Sequence, residues 1–438
     1  MTATAPTPPD TRPSPGGEPV AEVLHGLADK VFGGEAPLRI TAWDGSTAGP
    51  ADAPALHVTT PQALTRLLYH PGELGLAQAY VLGEIDVEGD LLDGLRRVWA
   101  ATRERGLSSR LDVTTVAAGL RAVVGLKVLR RPPAPPATQA QLRGRLHSKR
   151  RDSEAISHHY DLSNEFYDFI LDRHKAYSCA YYTSDDPSYT LEDAQRDKLD
   201  LVCRKLGLDQ AKPGHRHLDI GCGWGSLSLH AAAAYGVDVV GVTISKEQKA
   251  SIDERLVREG LQGKVDIRLQ DYREVVDGPF DTVSSIEMGE HVGKRNYPVF
   301  LGQIERLLAP GGRMLIQQMS RVTKPGGGPF IEAFIAPDMH MRPVGETIGL
   351  IEEAGLEVRD VHALREHYVR TVDAWYATFE SNWDRVVAMV GEEMARVWRL
   401  YLVGGALAFE EGRMGVDQIL AVKATPDGRS GLPPVRAW

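Results

Sequence analysis

A buried strand that runs into three alternating glycines leaves a chain few ways to fold. Residues 217–245 read HLDIGCGWGSLSLHAAAAYGVDVVGVTIS. The pattern predicts a strand over Leu218–Ile220, a turn at Gly221, Gly223 and Gly225, a helix through Leu227–Tyr235 and a second strand over Val237–Val242. This is half of a nucleotide-binding βαβ unit, with its turn at the carboxyl end of the first strand. Glycine suits that turn because the backbone must bend sharply and approach a ligand with no Cβ in the way. The spacing is D-x-G-x-G-x-G, which differs from the dinucleotide fingerprint G-x-G-x-x-G. No Lys-Ser/Thr follows to hold a triphosphate. Asp219, just ahead of the turn, directs a carboxylate at whatever lies over the glycines.

The surrounding chain repeats the strand–helix alternation. Ahead of the turn, LEDAQRDKLDLVCRKLGL has apolar residues at helical spacing, Ala194, Leu199, Leu201, Val202 and Leu206. Beyond it, KVDIRLQDY ends a strand at Gln270–Asp271–Tyr272, and FDTVSSIEMGEHVG ends one at Glu287, Glu290 and His291. LLAPGGRMLIQQMS adds a Pro-Gly-Gly turn and a strand, and GLEVRDVHAL and QILAVKATP are expected as antiparallel strands closing the sheet. The fold class is therefore α/β, a doubly wound Rossmann-like sheet whose ligand sits at the carboxyl strand ends. A tyrosine-rich stretch, SEAISHHYDLSNEFYDFILDRHKAYSCAYY, precedes it and reads as a cap over a ligand, with His158, His159 and Tyr160 as candidate lining residues.

The 438 residues allow more than one domain. We expect a disordered tail over 1–18, a small N-terminal α/β domain over 19–105, a helix and basic Pro-rich linker over 106–150, the main domain over 151–425 and a tail over 426–438. Between Arg121 and Arg151 stand nine Lys/Arg and no Asp or Glu, beside an apolar helix at 111–130. That combination is suited equally to anionic lipid and to a solvated linker. A formal charge of −9 disfavours nucleic acid as a partner, and three cysteines without a C-x-x-C pair supply no metal framework. No apolar run approaches the roughly 18 residues of a spanning helix, and no signal peptide is recognisable, so the chain reads as cytoplasmic.

Taken together, HYDLSNEFY, YSCAYY, LDIGCGWGSL, VVGVTISKEQ, LQDYRE, GEHVG, NYPVF and HYVRTVDAWYATF resemble the cyclopropane-fatty-acyl-phospholipid synthase family, which includes the mycolic acid cyclopropane synthases. The likeness covers about Ser153 to Ala424. It implies a class I methyltransferase that uses S-adenosylmethionine (SAM) to methylate the cis double bond of an unsaturated acyl chain in membrane phospholipid. It implies SAM contacts from Tyr177, Ser178, Asp219, Gly221, Gly223 and Gly225, with Asp271 and Tyr272 at the adenine. Thr243 and Gln248 stand where an acidic ribose ligand is usual and can make neutral hydrogen bonds instead.

In the family a bound bicarbonate accepts the proton that must leave, held by a cysteine, a glutamate, a histidine and a tyrosine. Cys179, Glu290 and Tyr368 carry over. The histidine does not, because the usual LLHTI reads LIQQM here and Gln317 takes its place. Glu287 also replaces a customary glycine, which puts bicarbonate in doubt and offers Glu287 as the base, while His291 beside Glu290 fits equally a group that orients Glu290 and a locally satisfied histidine. These departures suggest the branch that makes 10-methylene acyl chains, with a partner reductase completing the 10-methyl acid. Cyclopropane formation is the alternative. Trp375, Tyr376 and Phe379 fit a packing face and an acyl-channel wall equally. A soluble-substrate methyltransferase and a non-catalytic lipid-binding relative are the readings from other classes. The protein is expected to work at the inner membrane face, with a homo-oligomer left open.

Overall fold

The structure, a computed structural model, describes residues 18–105, 113–126, 128, 131–140, 164–322, 326–436 and 438. The candidates His158, His159 and Tyr160 lie outside the described residues. The chain divides into two compact units, residues 1–139 with 392–404, and residues 140–391 with 405–438. The first unit thus takes in a segment from far along the chain, which a pass in sequence order does not reveal.

In the first unit, α1 (Val20–Val31), β1 (Arg39–Ala42), β2 (Thr47–Ala48), β3 (Ala55–Val58), α2 (Gln62–Tyr69), α3 (Glu73–Val81), β4 (Ile85–Glu88), α4 (Leu91–Glu104) and α5 (Val113–Gly125) follow in order. The four strands form a sheet in the order β2-β1-β3-β4. Arg66 on α2 is 2% exposed and grips Glu84 through two bonds of 2.8 Å. Its remaining nitrogen donates to Ala134 O at 3.0 Å, and Thr138 bonds Glu393 Oε1 through both its N–H and its hydroxyl. The Pro-rich stretch around 134–139 is therefore tied into this unit, where the expectation was an extended linker. The buried guanidinium needs that carbonyl, since an unmet buried charge is costly.

The second unit runs α6 (Asn164–Ile170), α7 (Leu191–Leu206), β5 (Arg216–Ile220), α8 (Ser226–Tyr235), β6 (Asp238–Thr243), α9 (Lys246–Glu259), β7 (Val265–Leu269), β8 (Phe280–Ile286), α10 (Gly289–Val292), α11 (Tyr297–Leu307), β9 (Leu308–Ser320), α12 (Val344–Glu353), β10 (Glu357–Ala363), α13 (Arg365–Glu380), α14 (Trp383–Val390), α15 (Glu392–Glu410) and β11 (Gly415–Val422). The first part of α15 belongs to the other unit. Its seven-stranded sheet has the order β10-β11-β9-β8-β5-β6-β7. β5 pairs in parallel with both β6 and β8, so the chain reverses its direction of winding there. Only β11 runs against the parallel set. β10 and β11 pair antiparallel, as expected of the strands that close the sheet, and β10 thereby points with the parallel set.

Side-chain alternation builds a core on each face. Val240 and Val242 pack with Phe280, Phe300 and Ile304, while Val239 packs with Leu199, Val202 and Ile252. Adjacent residues of one strand thus serve opposite layers, as a period of two dictates. α7 starts from a capping box in which Thr190 and Asp193 satisfy each other's backbone N–H, and it ends at Gly207 with φ 79°. That fixed helix carries residues of the site.

Candidate active site

The reversal between β5 and β8 opens a crevice at the carboxyl strand ends, where ligands bind in such sheets. A pocket lies there, lined by the turn after β5 (Gly221, Gly223, Trp224), by Thr243 and Gln248, by Asp271 and Tyr272, and by Glu287, Met288 and His291. Tyr177, Ser178, Lys175, Lys198 and Asp219 complete it. The structure therefore brings together all the residues expected along SAM except Gly225, which starts α8 behind the turn.

The glycines divide by what surrounds them. A Cβ on Gly221 would lie 2.6 Å from Met288 Cγ, and the residue sits at φ 73°. Gly223, at φ 55°, has nothing within 4 Å of such an atom, so the turn presents bare backbone to the pocket. Asp219 is 2% exposed, and its two oxygens accept from Ser284 and Ser228 at 2.8 and 2.7 Å. Burial raises its pKa, and the two hydroxyls oppose that rise. Thr243 donates to Gln248 Oε1 at 2.7 Å, which forms a neutral pair where an acid is customary. Asp271 is held by Arg273 at 2.6 and 2.8 Å.

Beyond the glycine turn the pocket reaches Glu287. Tyr368 donates its hydroxyl to Glu287 Oε2 at 2.7 Å. Gln317 Nε2 and the Cys179 N–H both donate to Oε1 at 2.8 Å. Gln317 is oriented in turn by Gln418, whose amide donates to Gln317 Oε1 at 2.9 Å. Desolvation raises the Glu287 pKa, while the Tyr368, Cys179 and Gln317 bonds and the charge of Lys198 pull it down. Glu287 has φ 50°, in the left-handed region that favours glycine. Such a backbone costs about 1–3 kcal/mol and persists only where the surroundings enforce it. Here three donors on the carboxylate do so.

This geometry assigns Cys179, Gln317 and Tyr368 the task of holding Glu287; none of the three lines the pocket. The Cys179 thiol points elsewhere, towards the carbonyls of Ala180 and Leu364, and burial followed by the Glu287 charge raises its pKa well above the usual value. A bicarbonate does not fit: its donors are taken by a fixed carboxylate whose charge would repel it. Glu290 also stands apart from the expected constellation. It is 1% exposed, does not line the pocket, and accepts from the Met319 N–H. Burial first and the Glu287 charge second raise its carboxyl to about 8.

A raised carboxyl stabilises the fold below its unfolded value and loses that stabilisation as pH climbs through the folded value. Glu290 therefore costs stability increasingly between pH 4.5 and about 8. Glu290→Gln keeps the acceptor for Met319 and removes the titration. We expect its melting temperature to gain on the parent as pH rises through that window, with methyl transfer retained. A parallel pair of melting curves across pH would contradict this.

Aromatic rings cluster around Tyr177 and around Tyr368, whose hydroxyl holds the carboxylate. Tyr177 stands 5.5 Å from Trp375 and 6.4 Å from Trp224, and Tyr368 lies 6.2 Å from Trp375 and 4.4 Å from Phe409. Trp375, Tyr376 and Phe379 are all buried. Sequence reasoning passed over Trp224, Gln418 and Lys198. Lys198 did leave a signal: it stands four residues from Ala194 and four from Val202, on the buried stripe of α7, where a charge is out of place.

The model of the mycolic acid cyclopropane synthetase family matches residues 147–419. A probable fatty acid methyltransferase of Mycobacterium tuberculosis is 38% identical over 416 residues, covering 92% of this chain and 95% of its own. The cyclopropane-fatty-acyl-phospholipid synthase of Escherichia coli K12 is 35% identical over 381 residues, 86% of this chain and 90% of its own. Among solved structures, a mycolic acid cyclopropane synthase complexed with SAH and CTAB superposes with a TM-score of 0.57 at 32% identity, covering 61% of this chain and 97% of that one. The pocket suits SAM, with bare glycine backbone, a neutral Thr243–Gln248 pair and buried polar groups along one wall. The chain belongs to the mycolic acid cyclopropane synthetase family and is a SAM-dependent methyltransferase of unsaturated lipid acyl chains.

Proposed function

We propose that the enzyme methylates the cis double bond of an unsaturated phospholipid acyl chain, oleoyl for example, and delivers a 10-methylene chain that a partner reductase can saturate to the 10-methyl acid. The observation that carries this reading is the Glu287 carboxylate, fixed by Tyr368, Gln317 and the Cys179 N–H. SAM, when bound, supplies an electrophilic methyl group. An alkene is a weak nucleophile, so the protein's share is to exclude water and hold the partners in line. Tyr177 and Trp224, which line the pocket, contribute apolar, electron-rich faces suited to a developing carbocation.

Attack by the π bond on the sulfonium methyl forms the new C–C bond as the S–CH3 bond breaks, its electron pair staying on sulfur as the neutral thioether leaving group, and leaves the cation on the neighbouring carbon. A 1,2-hydride shift brings the cation to the carbon that bears the new methyl. Glu287 then takes a proton from that methyl, and the C–H electron pair becomes the exocyclic double bond. Without the shift, the same proton loss closes a cyclopropane ring. That alternative uses the same base, and the named E. coli relative favours it.

The acyl chain lies in a bilayer, so the protein must meet its surface. Among the described residues no helix is long and apolar enough to cross a membrane. On α5, Val116, Leu120 and Val124 are 48%, 51% and 69% exposed at successive turns, beside the exposed Arg121. An exposed apolar stripe with basic neighbours suits an anionic lipid surface.

Lipid mass spectrometry tests both points, using oleoyl phospholipid vesicles with and without anionic lipid and methyl-deuterated SAM. We expect a carbon placed at one chain position, retaining two deuteriums, and faster turnover on anionic vesicles. A ring across the former double bond would establish the cyclopropane alternative. Equal turnover on neutral vesicles would remove the lipid role of α5.

A further inference from the structure

One buried cation in the pocket makes no ion pair among the described residues. Lys198 is 1% exposed and lines the pocket, and its ammonium donates to Ser178 Oγ at 2.9 Å. An ammonium carries three donors, and that bond uses one of them among the described residues. Burial pushes its pKa down, while the charges of Glu287, Asp172 and Asp219 oppose that. Each of those acids is engaged elsewhere. Glu287 has its three donors, Asp219 its two serines, and Asp172 accepts from the N–H groups of His174 and Ala176 at 2.9 and 3.1 Å. Lys175, the other lysine of the pocket, differs in being paired with Asp168 at 2.5 Å.

The surroundings of Lys198 are rigid. Gln195, one turn earlier on α7, donates to Ser178 O at 2.8 Å and to Ala176 O at 3.3 Å, which fixes the segment that presents Ser178. A buried charge without a partner is strongly unfavourable, so such a group is kept where an incoming anion completes it.

We propose that Lys198, with Ser178 beside it, forms the subsite for the carboxylate at the amino-acid end of SAM. SAM has one carboxylate, and Lys198, with two donors unused among the described residues, lines the pocket together with Tyr177, Ser178 and Asp219. Anchoring that group determines which way round the cofactor enters.

The test compares SAM with decarboxylated SAM by calorimetry on the full chain. Losing a charge-assisted hydrogen bond corresponds to about a ten- to hundredfold change in affinity. The parent protein should prefer SAM by that factor. Lys198→Met, which keeps an unbranched apolar stem, should lose the preference by weakening SAM alone, and 5′-methylthioadenosine should bind both proteins equally. Lys198→Arg keeps the charge and should show a preference above that of Lys198→Met. If Lys198→Met weakens all three ligands alike, Lys198 is merely structural and the proposal fails. Should that variant not fold, the parent still decides: equal affinity for SAM and decarboxylated SAM overturns the subsite.

Discussion

Glu287→Gln is expected to lower turnover about 10²–10⁴-fold, the usual worth of a positioned general base, with SAM affinity essentially unchanged. Glutamine preserves the length and the acceptor oxygen but has no basic carboxylate. The proton on the new methyl then has no strong acceptor, and the cation reverts or is quenched. Turnover of oleoyl vesicles and calorimetric SAM binding separate the two effects. The pH profile carries a second signature. Glu287 works as a base only when ionised, and burial holds its carboxyl above the ordinary range. Parent activity should rise with pH through a midpoint above about 4.3, the usual glutamate value, and the residual activity of Glu287→Gln should lack that limb.

Bicarbonate provides a sharper version of the same test. Removing it should leave the parent untouched, because the donors that an anion would use already hold Glu287. Glu287→Gly relieves the φ of 50° and opens that position, so added bicarbonate should restore part of its activity. A parent that needs bicarbonate would end the reading of Glu287 as the base.

Gly221→Ala should destabilise the fold by about 2–5 kcal/mol, combining left-handed strain of about 1–2 with overpacking of about 1–3. The added Cβ would meet Met288 Cγ at 2.6 Å. Met288 adjoins Glu287, so the base shifts as well, and SAM affinity and turnover should fall together. Gly223→Ala makes the comparison informative. Its φ is 55°, with nothing within 4 Å, so it should incur the strain alone, about 1–2 kcal/mol. Denaturant melts of the two variants measure the difference. Equal losses would show that the contact with Met288 relaxes freely.

Local pattern was enough to read the D-x-G-x-G-x-G turn with its strand and helix, while Tyr177, Ser178, Thr243, Gln248, Asp271 and Tyr272, which line one pocket, were pointed to by the family resemblance. Such elements are legible because hydrophobic period, caps and turn glycines are properties of consecutive residues. The replacement of a glycine by Glu287 and of a histidine by Gln317 could also be noticed in the chain, as anomalies in a motif.

What those anomalies do was decided by tertiary structure. Cys179, Glu287, Gln317 and Tyr368 are brought together by a cap segment, the residue after β8, a position in β9 and a helix, and only their approach shows three donors meeting one carboxylate. Glu290 matches its motif residue for residue, yet its carboxylate turns to the Met319 N–H and leaves the pocket to Glu287. The direction of β10, the anchoring of the Pro-rich stretch to Arg66 and the want of an ion pair for Lys198 among the described residues belong to the same class. Each depends on contacts between residues distant in the chain, and a motif records which side chains are present without recording where they point.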